Sequence, residues 1–448
     1  MNTSSDKMLA VEHVNKLRCD LLGGAGEEAG VGIALGRLEH LLGGRRRAGN
    51  AGPGRIRAEG FGIPDLTGLF QRLHDEEQAA LRSAARAFTD KELIPAAAEL
   101  ERGGTFPAAL LRRCGELGFT AAALMDEGRY DAAKVCIILE ELSRGSAALA
   151  LALLPQYLAC DILCAAGEPF TALLKRGQAL ETLFAYAISE ESGGSDVLGI
   201  DTTAIYDGGE WVLNGAKSWI TNAGAANAYI VAARTAFSGR SRNMSLFCVD
   251  GAADGLSVTA EELIGMRGCP HGTVSFSNCR IPGGSLIGGE DQGYRLLKPT
   301  LLLGRLGVSA IAVGIAKRAL ELAAAYATST GKYGRSLSTY QGISFALADM
   351  YAKTAGAKSA VYCAAEQYMQ RASQAAVNVA AAKLMSTELA WEVTKSARQI
   401  HGANGLSRRF EVERCLRDAQ MLTIAEGTSE ICKIIIASSL TSGGEWTI

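Results

Sequence analysis

The spacing of apolar residues changes twice along this chain of 448 residues, and that double change limits its fold more than any other feature. From Leu66 to about Thr182, apolar side chains such as Phe70, Leu73, Ala80, Leu81 and Ala84 recur at helical spacing, with charged residues between them. From about Ala185 to Gly289 the pattern shortens to β-type runs: Trp211-Val212-Leu213, Tyr229-Ile230-Val231, Ser245 to Val249, and Thr273 to Phe276. Gly208-Gly209, Asn214-Gly215, Asp250-Gly251 and Pro282-Gly283 punctuate these runs as turns. After Gly293 the helical period returns. Ile311, Ile315, Ala319, Leu322 and Tyr326 share one face, while Lys317, Arg318 and Glu321 lie elsewhere, as on an amphipathic helix. Further helices are predicted from Tyr340 to Met369, Ala375 to Ile400 and Ser429 to Leu440. The order is helices, then a small antiparallel barrel or sandwich, then a long-helix bundle.

Local signals refine this frame. Pro95 breaks or bends the first helical run, Gly103-Gly104 ends it, Pro107 starts the next helix and Gly118 closes that one. Residues 1–65 read as a divergent extension, rich in Gly, Ala and Arg, with Arg45-Arg46-Arg47 as a solvated stretch or interaction arm. Gly24-Ala25-Gly26 superficially resembles a dinucleotide-binding turn, but no convincing strand precedes it. The apolar run from Ala147 to Ala166 contains Pro155, Gln156 and Asp161, which favours a core helix pair over a membrane span. A net charge of −2 gives no general pull toward nucleic acid or an acidic membrane. Eleven cysteines, an odd count without paired short spacings, argue against a disulfide framework and for a reducing cytoplasm. Cys160 and Cys164 have no nearby histidine or further cysteine to complete a zinc site, so no metal is expected.

Four segments carry chemistry. Tyr186 to Asp196 reads as a strand entering a glycine turn, where backbone amides and hydroxyls can approach a flat polar ligand. Asn214 to Asn222 offers an aromatic wall, Trp219, beside a hydroxyl, Thr221. Gln399 to Gly405 is a glycine-rich break between helices, suited to a close phosphate contact. Ile424 to Ile431 sets a single carboxylate, Glu426, at a helix boundary. Each has a plain structural alternative: glycine turns usually only turn, Thr428 and Ser429 serve as caps, and a lone tryptophan is most often core. Their joint order in this three-part layout is the specific signal.

On these residues the chain resembles the acyl-CoA dehydrogenase family from about residue 66 to 440. Tyr186 to Asp196 is similar to that family's first signature, Trp219-Ile220-Thr221 to its flavin wall, and Glu426 to Ile431 to its catalytic segment. The resemblance implies a mainly α fold with a central β-barrel: an N-terminal helical domain (66–184), the barrel (185–290) and a C-terminal four-helix bundle (291–448). It also implies FAD between barrel and bundle, and a homodimer or homotetramer. By position, Ile188, Ser189, Trp219 and Thr221 would contact the isoalloxazine, and Tyr186 and Thr428 would join them in the cofactor site. Ser195 would lie where pantetheine passes. Gln399, Gly402 and Ala403 would reach the FAD pyrophosphate of a neighbouring subunit. Arg305 matches the arginine that positions the catalytic glutamate.

The implied reaction is α,β-desaturation of an acyl thioester. Glu426 takes the α-proton, the β-hydrogen leaves as hydride to flavin N5, and an electron-transfer flavoprotein takes the electrons. The alternative base position, Gly304, carries no carboxylate, a pattern resembling the short-chain branch. Three departures stand out. Thr330 occupies the place of an FAD-binding arginine, Phe119 to Asp131 is short, and Glu191 replaces a proline. The last two point to a modified acyl-binding mouth, with CoA or an acyl-carrier protein presenting the same thioester arm, while Thr330 alters the inter-subunit FAD contact. A same-fold oxidase or monooxygenase and a non-catalytic scaffold stand as the rival readings.

Overall fold

The computed structural model describes residues 75–125, 128–235 and 244–441. The expectations for residues 1–65, and the first turn predicted at Phe70 and Leu73, lie outside the described residues.

The described chain begins with α1 (Glu76–Phe88), capped by the Asp75 carboxylate, which accepts from the Gln78 N–H at 2.8 Å. Leu81, Ala85 and Phe88, spaced by four and three, form its buried face. A π-helical turn, Thr89–Leu93, leads into α2 (Ile94–Gly103), so Pro95 bends the run rather than ending it. Gly104 closes α2 at φ 58°, and α3 (Ala108–Glu116) starts directly after Pro107. Gly118, at φ 69°, turns the chain into the short α4 (Phe119–Ala122). Asp131 then caps α5 (Ala132–Gly145), and Ser146 caps α6 (Ala147–Ala166). α7 (Thr171–Gln178) closes the first helical layer.

α6 corrects one expectation. It is a single helix through Pro155, not a pair. Proline removes one backbone hydrogen bond, but the next residue, Gln156, is fully buried and locks the helix outward. Its amide bonds Gly177 O at 2.7 Å and Thr182 O at 2.8 Å and accepts from Phe184 N at 3.0 Å. α6 is long and apolar enough to cross a membrane, but its side chains are buried within the protein.

The middle of the chain forms β1 (Phe184–Ala187), β2 (Thr203–Asp207), β3 (Glu210–Thr221), β4 (Ala228–Ala233), β5 (Ser245–Asp250), β6 (Leu256–Glu261), β7 (His271–Pro282) and β8 (Leu286–Ile287). They make two four-stranded sheets, ordered β1-β4-β5-β8 and β2-β3-β7-β6. Trp211, Leu213, Tyr229, Val231, Phe247 and Phe276 belong to the core they share. β1 pairs with β4 in parallel, an exception to the expected antiparallel pattern. Asn214-Gly215 is not a turn either. β3 runs through it with a register shift, because Thr202 crosses so closely that a Cβ on Gly215 (φ 139°) would stand 2.7 Å from Thr202 Cα.

The bundle opens with α8 (Gly293–Ser329), a helix of 37 residues, also long and apolar enough to span a membrane yet mostly buried. A small hairpin follows, β9 (Gly331–Lys332) with β10 (Arg335–Ser336). Then come α9 (Gln341–Met369), α10 (Ala375–Ile400), a 3₁₀ stretch at Gly402–Leu406, α11 (Val412–Leu422) and α12 (Ser429–Thr441). The described cysteines are all free thiols.

The amphipathic reading of α8 is corrected. α5, α6, α9, α10 and α11 surround it, and Lys317 and Arg318 are as buried as its apolar residues. Such burial stands only if each charge finds a partner. Lys317 Nζ lies 3.1 Å from Glu140 and 3.0 Å from Glu141 on α5, and Arg318 lies 2.7 Å from Glu411. Arg82 and Lys358 also reach Glu140, each at 3.1 Å, and the Tyr362 hydroxyl donates to it at 2.7 Å. Burial opposes ionisation of Glu140, but Arg82, Lys358 and Lys317 hold its carboxyl well below the usual carboxylate range. Glu140→Gln leaves these cations undercompensated and is expected to cost about 3–5 kcal/mol, read as a lowered urea midpoint. A loss below about 1 kcal/mol would show that the cluster does not need this charge.

Candidate active site

The link between α11 and α12 has to reverse direction in six residues. Glu426 (φ 55°) and Gly427 (φ 99°) both adopt left-handed backbone to do so. A non-glycine residue in that region costs roughly 1–3 kcal/mol and persists only where its surroundings enforce it. Here α10 supplies the enforcement. Lys383 Nζ donates to Thr423 O at 3.0 Å, and Ser429 Oγ donates to Glu388 Oε1 at 2.6 Å. Ser429 N also closes back on Thr423 O at 3.0 Å. Thr428 caps α12 by accepting from Ile431 N at 3.3 Å, the plain structural role foreseen for it. Among the described hydrogen bonds none uses the backbone N–H of Glu426.

The Glu426 carboxylate lies directly on Gly304 of α8. A Cβ at Gly304 would meet Oε2 at 2.3 Å and Cδ at 2.9 Å. An alanine there would collide with the carboxylate where it stands and displace it. Arg305 is buried, and its Nε has no hydrogen-bond partner. No ion pair within 4 Å joins it to Glu426 among the described residues; the attraction between them acts at longer range. Glu426 keeps partial solvent contact, yet the protein around its carboxyl pushes its pKa up to about 7, against the pull of Arg305 and Lys383. Burial likewise pushes Lys383 down to about 8.

Tyr186, at the end of β1, faces the same space. Its hydroxyl donates to Thr300 Oγ1 at 2.9 Å, since Thr300 spends its own proton on Leu297 O at 2.8 Å. Burial, then the nearby Glu426 carboxylate, raises the Tyr186 pKa well above its ordinary value. Only two residues separate Tyr186 from Ser189, a span of at most ~10 Å. Ser189 O accepts from Ser218 N at 2.9 Å, which ties the first segment to the second. A buried ion pair reinforces the joint: Lys217 Nζ donates to Glu190 Oε1 at 2.6 Å and to Ile188 O at 3.0 Å. Glu190 in turn accepts from Asp201 N and Thr202 N at 2.6 and 3.0 Å, fixing the far end of the loop that carries Ser195. Burial works against Glu190 ionisation, but Lys217 and these hydrogen bonds keep its carboxyl below the ordinary value.

The second segment ends in a bulge. The register of β3 against β7 shifts between Lys217 and Ile220, and Trp219, at φ 63°, is left 61% exposed. An indole held outward by strained backbone, beside the partly exposed Thr221 and Ser189 hydroxyls, fits the face and heteroatom edge of a flavin ring. Ile188 is buried with its carbonyl engaged by Lys217. Ser195 is exposed on its loop. Gln399, Gly402 and Ala403 are exposed too, and no described hydrogen bond or ion pair links them to Glu426. The structure thus brings together segments one, two and four and keeps the third apart from them.

Three contributors escaped the sequence reading: Thr300, Lys383 and His271, whose Nε2 lies 3.1 Å from Thr221 Oγ1. Lys383 alone had a signal, as a lysine on the buried stripe Val379, Ala382, Ser386, Ala390 of α10.

A carboxylate poised near neutrality in a protein-walled space is the equipment of an enzyme that takes a proton from carbon. The chain belongs to the acyl-CoA dehydrogenase family, whose members are FAD-dependent enzymes oxidising acyl-CoA. Residues 75–170, 185–279 and 291–441 match that family's N-terminal, middle and C-terminal domains. A probable acyl-CoA dehydrogenase of Mycobacterium bovis is 36% identical over 371 residues, covering 82% of this chain and 95% of that one. The mitochondrial short-chain specific acyl-CoA dehydrogenase of Sus scrofa is 35% identical over 387 residues, covering 83% and 92%. Among solved structures, butyryl-CoA dehydrogenase from Megasphaera elsdenii aligns with TM-score 0.78 at 29% identity, over 82% of this chain and 98% of that one. A Mycobacterium smegmatis glutaryl-CoA dehydrogenase in complex with FADH2 shares the fold, with TM-score 0.78 at 23% identity, over 85% and 99%.

Gly304→Ala sets a methyl where the carboxylate stands. With the Glu426 carboxylate displaced by about 1 Å, acyl-CoA dehydrogenase turnover is expected to fall ~10²-fold. Unchanged turnover would show that the carboxylate acts from elsewhere.

Proposed function

We propose that this chain carries out the FAD-dependent α,β-desaturation of a short acyl-CoA, with Glu426 as the base that removes the α-proton. The observation carrying the proposal is the Glu426 carboxyl itself, laid on Gly304 and raised to a pKa of about 7.

The α-proton of a thioester is too weakly acidic for an ordinary carboxylate. Raising the base toward neutrality narrows the gap from one side. Stabilising the charge that develops on the thioester oxygen narrows it from the other, and the unused N–H of Glu426 is the donor we assign to that oxygen. Arg305 and Lys383 keep the carboxylate ionised in part without bonding it away. Bound FAD supplies the hydride acceptor. Trp219 would cover one face of its ring, with Ser189 and Thr221 offering hydroxyls at the edge and Tyr186 and Thr428 completing the surround. Ser195, on the loop anchored by Glu190, would lie along the pantetheine arm.

Gln399, Gly402 and Ala403 would serve a second copy's cofactor in a homodimer or homotetramer; their exposure in the single chain supports this. With Thr330 where an arginine would serve the pyrophosphate, the exposed Lys332 offers a point charge instead of a bidentate fork. An electron-transfer flavoprotein is the proposed acceptor. The short-chain preference rests on Gly304 and on the short-chain relatives, and the free thiols fit a cytoplasmic setting.

Anaerobic titration with a panel of acyl-CoA and acyl-carrier thioesters tests the proposal through flavin bleaching, which should be strongest with short acyl-CoA. Glu426→Gln is expected to retain flavin but to slow bleaching by at least ~10²–10⁴-fold. Retained turnover in that variant would refute the assignment of the base.

The pH profile gives a second measurement. Glu426 must be ionised to act, so kcat/KM should fall about tenfold per unit below pH ~7 and level off above it. Lys383→Met removes a positive charge that favours the ionised form, so the rising limb should move to higher pH. A limb left in place would assign Lys383 to packing alone.

A further inference from the structure

His271 opens β7 and lies directly across from Thr221 of β3 in the sheet register. Its imidazole is only 8% exposed, and both ring nitrogens are engaged. Nδ1 is 2.9 Å from Cys269 O. A carbonyl has no proton to give, so Nδ1 carries the N–H. A neutral imidazole has one such proton, which leaves Nε2 a bare acceptor. Burial pushes this imidazole below its ordinary pKa, opposed only by the Cys269 carbonyl, so it is neutral at pH 7. Glu261, its register partner on β6, is exposed to solvent. Thr221 Oγ1, 3.1 Å from Nε2, must therefore donate its single proton to His271.

We propose that Thr221 meets the N5 edge of the flavin, where the hydride arrives, and that His271 is a positioning residue that turns the Thr221 hydroxyl so that its oxygen presents lone pairs, not its proton, to that edge. This rests on the FAD reading above. The consequence is electronic. Oxidised flavin has a lone pair at N5, whereas the two-electron reduced form carries an N–H there. A hydroxyl held as an acceptor is matched to the reduced form and mismatched to the oxidised one. Without His271 the hydroxyl is free to rotate and donate to oxidised N5. The Cys269–His271–Thr221 relay accordingly makes the site a better hydride sink, with His271 acting through the Thr221 hydroxyl.

The test is the reduction potential of enzyme-bound flavin, measured by equilibration with a reference dye. His271→Asn keeps a short amide that can still donate to Cys269 O but falls short of Thr221. His271→Gln can place an amide oxygen where Nε2 stands. The ratio of reduced to oxidised flavin at fixed dye potential should fall about three- to tenfold in His271→Asn, the equilibrium worth of one hydrogen bond. It should recover in His271→Gln. Adding His271→Asn to Thr221→Val should change nothing further, because the relay is already broken. Flavin content and thermal stability, which a structural role would move, should stay near wild type in His271→Gln. A His271→Asn ratio within about twofold of wild type, with flavin bound, overturns the relay and leaves the function intact. A wild-type protein that takes up no flavin overturns both.

Discussion

A helix buried on every side has no solvent face on which to park its charges, and from Leu303 to Leu320 α8 is such a helix. Three of its cations, Arg305, Lys317 and Arg318, are buried, and each must be answered by a carboxylate from another element. Lys317 and Arg318 are answered by direct contact with Glu140, Glu141 and Glu411. Burial opposes ionisation of Glu411, yet Arg318 and Arg414 hold it down at about 2. Arg305 is answered differently. Its carboxylate, Glu426, stays out of ion-pair distance, sits on Gly304, and is raised to about 7. The same helix thus carries two structural ion pairs and one deliberately loose one. A tight pair at 305 would have held the Glu426 carboxyl down as Arg318 and Arg414 hold Glu411.

The barrel side is organised by a comparable economy of polar groups. Lys217 and Glu190 neutralise each other inside the sheet layer, and their remaining hydrogen-bonding capacity fixes Ile188, Asp201 and Thr202. Asn222 does the same beyond Trp219, donating to Ala152 O and Phe184 O at 2.8 and 3.0 Å. The exposed indole and its neighbouring hydroxyl are held between these two buried anchors, so that a mobile aromatic becomes a fixed shelf.

Much of this was legible in the sequence where the signal is local. The predicted helices over 340–369, 375–400 and 429–440 lie within one residue of α9, α10 and α12, because apolar spacing and helix ends are set by near neighbours. Glu426, Arg305, Tyr186 and the Trp219–Thr221 wall are singled out by motif order together with the family resemblance. What escaped depends on distant partners. Lys317 reads as solvent-facing because Glu140 lies 177 positions away, and Arg318 because Glu411 lies 93 away. Asn214-Gly215 reads as a hairpin turn because the crossing of Thr202 leaves no mark next to it in sequence. β2 and β6 carry half-exposed, weakly patterned residues. Thr300 and His271 act through side chains on other elements, and neither has a distinguishing neighbourhood in the chain.

The occupied space over Gly304 has an evolutionary corollary. The Glu426 carboxylate, on the α11–α12 link, fills the space directly over Gly304 of α8. A lineage that moved its base from the α11–α12 link onto α8 would have to shrink residue 426 and enlarge residue 304 together. Either step alone leaves a collision or a void. On the proposed assignment of the base, substitutions at the two positions are expected to couple rather than add.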